Sequence, residues 1–185
     1  MSSSQKGFTL IEMIIVIVSV GIIGSMAATM LFQGADIFVK ETNRQGFVSE
    51  ARSAFWRLMR DTQGQSSSAD FILSDQNSLY VKNGKGDLKD FQTSSPDFFN
   101  FRIGTGSYYS LSNSLGYSQS NGFTFYDNNL NVVSPSSGGL TATQAKTVHL
   151  SKLDLTFIND IDTLSLTSFV YPHNFRFGSK MSYHD

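Results

Sequence analysis

The chain has 185 residues, 14 Lys+Arg against 15 Asp+Glu, a net charge of -1 and a pI near 6.3. That balance excludes a generic basic nucleic-acid binder and a polybasic membrane-surface protein. With no cysteine, disulfide scaffolds, thiolate zinc sites and cysteine nucleophiles are excluded as well, and the redox compartment stays open. The mean hydropathy of -0.13 hides an uneven distribution. The first segment is nearly all apolar, and the rest is rich in Ser, Asn, Gly and aromatics.

From Met13 to Phe32 the run MIIVIVSVGIIGSMAATMLF carries no charge. As a helix it spans ~30 Å, the thickness of a bilayer's hydrocarbon core. The remaining chain is too small to wrap a buried helix of that length, so the run reads as membrane-inserted. It is also too long for the core of a cleaved secretory signal, and only the Ala27-Ala28 pair weakly resembles a cleavage site. Lys6 and the chain amine precede the span. The positive-inside bias therefore keeps the N-terminus cytoplasmic and sends the rest outward. At the lip of the span stands Glu12, in Gly7-Phe8-Thr9-Leu10-Ile11-Glu12. Two readings fit it: an intramembrane acid, which is a functional group by default, or an interfacial acid that stabilises the first helical turn through the macrodipole.

The run KGFTLIE, followed by about twenty apolar residues, resembles the class III signal of bacterial type IV prepilins and type II secretion pseudopilins. The resemblance implies a leader of residues 1–7, cut between Gly7 and Phe8 by a membrane-embedded prepilin peptidase, with N-methylation of the new terminal Phe8. The family's acid falls on Glu12, and its implied partner is the N-terminal ammonium of a neighbouring subunit, here Phe8 of the mature chain. Glu12 would then recruit subunits in register as an assembly device, not an acid–base catalyst. The implied partners are other pilin or pseudopilin subunits, major and minor, an inner-membrane assembly platform, and the membrane itself before assembly. The implied location is the bacterial inner membrane, as a single span, and then a periplasmic or extracellular filament. Many major pilins carry a proline where this chain has Thr29, so the chain fits the minor subunits better.

Past Gln33 the pattern becomes amphipathic. Phe47, Ala51, Ala54, Phe55, Leu58 and Met59 recur at three- and four-residue intervals as one apolar stripe. The spacing predicts one helix from about Phe8 to Thr62, with 8–32 as transmembrane or filament core and 33–62 amphipathic. Arg57 and Asp61 stand at i, i+4, where a pair adds a few tenths of a kcal/mol. Arg52, Arg57 and Arg60 read as a solvated face with some filament-neighbour pairing in preference to an anion site. The segment ARSAFWRLMRDTQ resembles the corresponding helix of J-type minor pseudopilins and related minor pilins.

Residues 63–185 change to period two. Ser78 to Lys82, Phe99 to Ile103 and Phe123 to Tyr126 alternate, and Phe71-Ile72-Leu73 is a shorter run of the same kind. Leu153 to Phe157 and Leu164 to Tyr171 read as a hairpin around Asn159-Asp160-Ile161-Asp162, with Lys152 marking a bulge. The last strand, ending at Pro172, again resembles that of J-type minor pilins. A helix followed by strands predicts an α+β fold of the type IV pilin kind: a long N-terminal helix, its first half transmembrane before assembly, packed on an antiparallel sheet domain.

Gly104 to Gly122 and Ser134 to Lys146 have loop composition. The first carries Tyr108, Tyr109 and Tyr117 among Ser, Gly and Asn, a paratope-like mixture, which makes these tyrosines a candidate contact loop. Asp127, Asn129 and Asn131 imitate the start of an EF-hand loop, but Val132 and Gly138 stand where Gly and Glu belong. Asp160 and Asp162 offer no fuller ligand set. His149, His173 and His184 lack metal spacing, and no phosphate-binding or nucleophile motif occurs. The sequence therefore predicts no enzyme, no cofactor and no metal. The expected function is a minor pilin or pseudopilin that helps initiate or cap filament assembly, with a filament-presented adhesin as the alternative.

Overall fold

The structure is a computed structural model, and it describes residues 7–160 and 162–173. Lys6, Ile161, Asn174 and His184 therefore lie outside the described residues. The first element is α1 (Leu10–Gln63), followed by a 3-10 turn (Ser68–Phe71). Then come β1 (Ser78–Lys82), β2 (Leu88–Ser94), β3 (Phe98–Ile103) and β4 (Tyr109–Ser112). A second 3-10 turn (Tyr117–Gln119) leads into β5 (Gly122–Tyr126), β6 (Val132–Val133), α2 (Ala142–Thr147), β7 (Leu150–Asn159) and β8 (Asp162–Val170). The chain divides into two units, one ending at Gln45 and one beginning at Gly46.

The first unit is helical, and none of its described side chains is buried. Its apolar residues surround the helix on every side, so no stripe is set aside for a protein core.

The second unit is α+β. Its strands form two four-stranded sheets, ordered β1-β2-β3-β4 and β6-β5-β7-β8, with every pairing antiparallel. Alternation sends Leu79, Phe91 and Phe101 to one face of the first sheet as a cross-strand row, and Phe123 and Leu153 to one face of the second. Phe91 stands 6.1 Å from Phe99, and Phe99 in β3 meets Phe157 in β7 edge-on at 6.4 Å, which joins the sheets through one aromatic core. The helix contributes Phe47, Ala51, Ala54, Phe55, Leu58 and Thr62 to the buried set. Met59 is only half-buried.

At the end of α1, Asp61 takes Lys89 of β2 as its ion-pair partner at 2.7 Å. Arg57 lays its guanidinium 3.9 Å over the Phe101 ring. The expected Arg57–Asp61 pair is thus replaced by two contacts to the first sheet, because both side chains lie on the helix flank facing it.

Several local expectations need correction. Phe71-Ile72-Leu73 is not a strand: Ser67 caps the 3-10 turn and Leu73 sits at φ 71. Lys152 is not a bulge, since it pairs in unbroken register with Thr124 and Phe169. The stretch with loop composition after Gly104 contains β4, and the one after Ser134 contains most of α2. A capping box between Thr141 and Gln144 starts α2.

Candidate functional site

The first candidate site is the N-terminal lip of α1. Gly7 and Phe8 precede the helix. A side chain added at Gly7 would meet nothing within 4 Å, and Phe8 is 83% exposed. Helix α1 starts at Leu10 because Thr9 caps it. The Thr9 amide donates to Glu12 Oε2 at 2.8 Å and the Thr9 hydroxyl donates to the same oxygen at 2.7 Å. In return the Glu12 amide donates to Thr9 Oγ1 at 3.4 Å. This reciprocal cap satisfies amides that the first helical turn leaves without partners. Glu12 Oε1 has no hydrogen bond among the described residues, so both bonds from Thr9 fall on one carboxylate oxygen. Sequence reasoning missed Thr9 as a functional residue, although Thr-x-x-Glu before an apolar run is the signal for such a cap.

Further along the apolar stretch, the hydroxyls of Ser25 and Thr29 are satisfied within the helix. Ser25 donates to the Ile22 carbonyl at 2.8 Å and Thr29 to the Ser25 carbonyl at 2.9 Å. Internal pairing of this kind is what hydrocarbon surroundings require. By length and composition α1 is able to cross a membrane, and its apolar window is wholly unburied. An apolar surface of that extent calls for lipid or other subunits to cover it.

The second candidate, the tyrosine set, is not one surface. Tyr108 lies on the outer face of the first sheet, where its hydroxyl donates to Asp90 Oδ2. Asp90 is fully buried, although its row on β2 faces outward. It is covered by Arg102, which pairs with Oδ2 at 2.8 Å, and by Tyr108, whose ring lies 4.5 Å from the Arg102 guanidinium carbon. Burial, and then the bond to Asp90, raises the Tyr108 phenol well above its ordinary value. Tyr109 opens β4 and is 67% exposed. Tyr117 starts the second 3-10 turn and packs against the hydrophobic core. Of the three rings, only that of Tyr109 is largely free for an outside contact.

Asp127 spends its carboxylate on its own turn. Its Oδ1 accepts from the amides of Asn129 and Asn131 at 2.8 Å each, and its Oδ2 accepts from Asn131 Nδ2 at 3.2 Å. This is the behaviour of an Asx turn. Among the described residues no three His, Asp or Glu side chains gather as a metal site.

No curated protein and no solved structure matches the chain. Residues 2–32 match the family model of the prokaryotic N-terminal methylation motif. That motif supports a subunit of the general type IV pilin or pseudopilin kind, and it implies processing by prepilin peptidase.

Proposed function

We propose that the protein is a minor pilin or pseudopilin that helps to initiate or cap a filament. The observation that carries the reading is the methylation motif over residues 2–32, set on a helix whose apolar stretch is uncovered and whose first turn holds Glu12 with an oxygen to spare. Cleavage after Gly7 would leave Phe8 with a cationic amine. That amine, on an adjacent subunit, is the donor that Glu12 Oε1 would accept, and a charge-assisted bond away from water is among the stronger ones. The pairing sets the axial register of each added subunit. Thr29 in place of a proline favours a minor position over the filament shaft.

The test is quantitative mass spectrometry of sheared filaments and of the cell bodies left behind. A minor subunit is recovered far below the major one, and a Glu12→Ala variant stays in the membrane. Recovery as the dominant filament protein would refute the minor assignment. Unchanged incorporation of Glu12→Ala would refute the role given to Glu12.

A further inference from the structure

Among the described residues, strand β8 forms the outer edge of the second sheet and pairs with β7 alone. Register tells which way its main chain points. On β7, the Thr156 carbonyl accepts from Gly116 and the Ile158 amide donates to Ser114, so these residues turn away from β8. The alternate β7 residues therefore bond β8, at Leu164, Leu166, Ser168 and Val170. Thr163, Ser165, Thr167 and Phe169 are left with their amides and carbonyls directed outward. None of these groups meets a partner among the described residues. All four residues are exposed.

Edges of this kind are normally blunted by a lysine, a proline or a bulge. From Thr163 to Val170 there is no charge and no proline, and the register runs without a shift from Asn159↔Asp162 to Ser151↔Val170. Among the described residues the edge is unbulged, open and chemically neutral.

A cleft on α1 adjoins β8 through one residue, Met59. Ser168, on the inner face of β8, touches Met59 of α1 through Oγ and Sδ at 3.4 Å. Met59 also lines a cleft of about 530 Å³ with Ser53, Trp56, Arg57, Arg60 and Gln63. Trp56 and Gln63 stand ~60° and ~40° round the helix from Met59, both on the same side of it. Trp56 is 64% exposed, and Arg52 and Arg60 flank it one turn away on each side, both exposed. Exposed Trp bracketed by Arg is the composition of interface hot spots.

We propose that the β8 edge and the Trp56 cleft together form a docking site for an extended strand of a partner protein, one that alternates apolar and small residues and carries a carboxylate. Its main chain would extend the sheet along Thr163–Phe169. Its inward side chains would cover the half-buried Leu164 and Leu166 and enter the cleft, with the carboxylate on Arg52 or Arg60. Main-chain bonds supply affinity and the side-chain pocket supplies selectivity, the division of labour in strand addition. Charge selects a partner of different sequence. Residues 174–185 bring Arg176 and Lys180 against Asp185, the wrong sign for this cleft, and β8 of a second copy has no carboxylate between Thr163 and Val170. The site does not depend on the filament reading, which the Glu12 variants test separately.

Trp56 is the chain's only tryptophan, so its emission reports on the site. The full chain in detergent micelles would be panned against a displayed library of short random peptides, and the enriched peptides titrated while Trp56 fluorescence is followed. Enrichment of alternating apolar sequences bearing Asp or Glu is expected, with a saturable blue shift. Thr167→Pro removes one outward amide and also the Thr167 hydroxyl's bond to Asp154, so Thr167→Val, which loses only the hydroxyl, is the control; relative to it the proline should weaken binding by about tenfold. Arg52→Glu with Arg60→Glu should exchange the selected acid for Lys or Arg. No enrichment, equal binding to Thr167→Pro and Thr167→Val, or an unchanged charge preference would each overturn the proposal.

Discussion

Glu12 Oε2 accepts both the amide and the hydroxyl of Thr9, at 2.8 and 2.7 Å. The carboxylate is thereby held at the first turn of α1, with Oε1 uncommitted among the described residues. The two readings that the sequence allowed for Glu12, helix stabiliser and assembly group, are compatible in this geometry, because each uses a different oxygen. Thr9→Val removes the hydroxyl and leaves the amide bond. It is expected to lower filament incorporation in part, while Glu12→Ala abolishes it, as measured by subunit recovery in sheared filaments at matched expression. Equal recovery of Thr9→Val and wild type would show that the hydroxyl plays no part in holding the carboxylate.

Tyr108→Phe removes the donor that covers Asp90. Loss of one hydrogen bond to a buried charge predicts about 1.5–3 kcal/mol of destabilisation, measurable by denaturant titration of the purified chain. The folded-state phenol is raised above its ordinary value of 10.0, by burial first. Its contribution is therefore complete below that value and is lost as pH rises through the folded one. Wild type should lose stability in this alkaline range more steeply than Tyr108→Phe, and parallel curves would count against the Asp90 contact.

The second sheet supplies the acid-side counterpart. Burial works to raise the Asp154 carboxyl, but bonds from Lys152, Asn121 and Thr167 outweigh it and hold the group below its ordinary 3.8. A depressed folded value stabilises above 3.8, and that stability is lost as pH falls through the folded value. Asp154→Asn should flatten the acid limb of thermal melts recorded against pH. An unaltered limb would place the titration elsewhere.

Gly122 opens β5 at φ 70, and a side chain there would collide with the Gln76 carbonyl, whose oxygen accepts the Phe123 amide at 2.9 Å. Both the left-handed backbone and the collision oppose any other residue. Gly122→Ala is expected to cost at least ~2 kcal/mol, whereas Gly84→Ala, at a turn with open space, should cost much less. Thermal melts of the two variants side by side decide the matter.

Long-period features were legible in the sequence. The apolar run, the stripe through Phe47 and Leu58, and the β7–β8 hairpin all follow from spacing alone. What escaped was set by contacts distant in sequence. Phe71 alternates like a strand residue, yet it belongs to a 3-10 turn, where its ring packs on Phe125 at 5.7 Å. Strands β2 and β4 were hidden because polar residues such as Asp90 and Ser112 are buried within them, which obscures the alternation. Asp90 became intelligible only through Arg102 and Tyr108, residues that no local pattern links to it. The caps at Thr9 and Thr141 are a different case, since each carries its glutamate or glutamine three residues on and was readable by rule.

The central claim is that the chain is processed as a prepilin and enters a filament through its N-terminus. N-terminal peptide mass spectrometry of the protein from cells and from sheared filaments tests it most directly. The account predicts a mature chain starting at N-methylated Phe8, with residues 1–7 absent. A chain recovered with residues 1–7 intact would contradict it and leave an unprocessed single-span membrane protein.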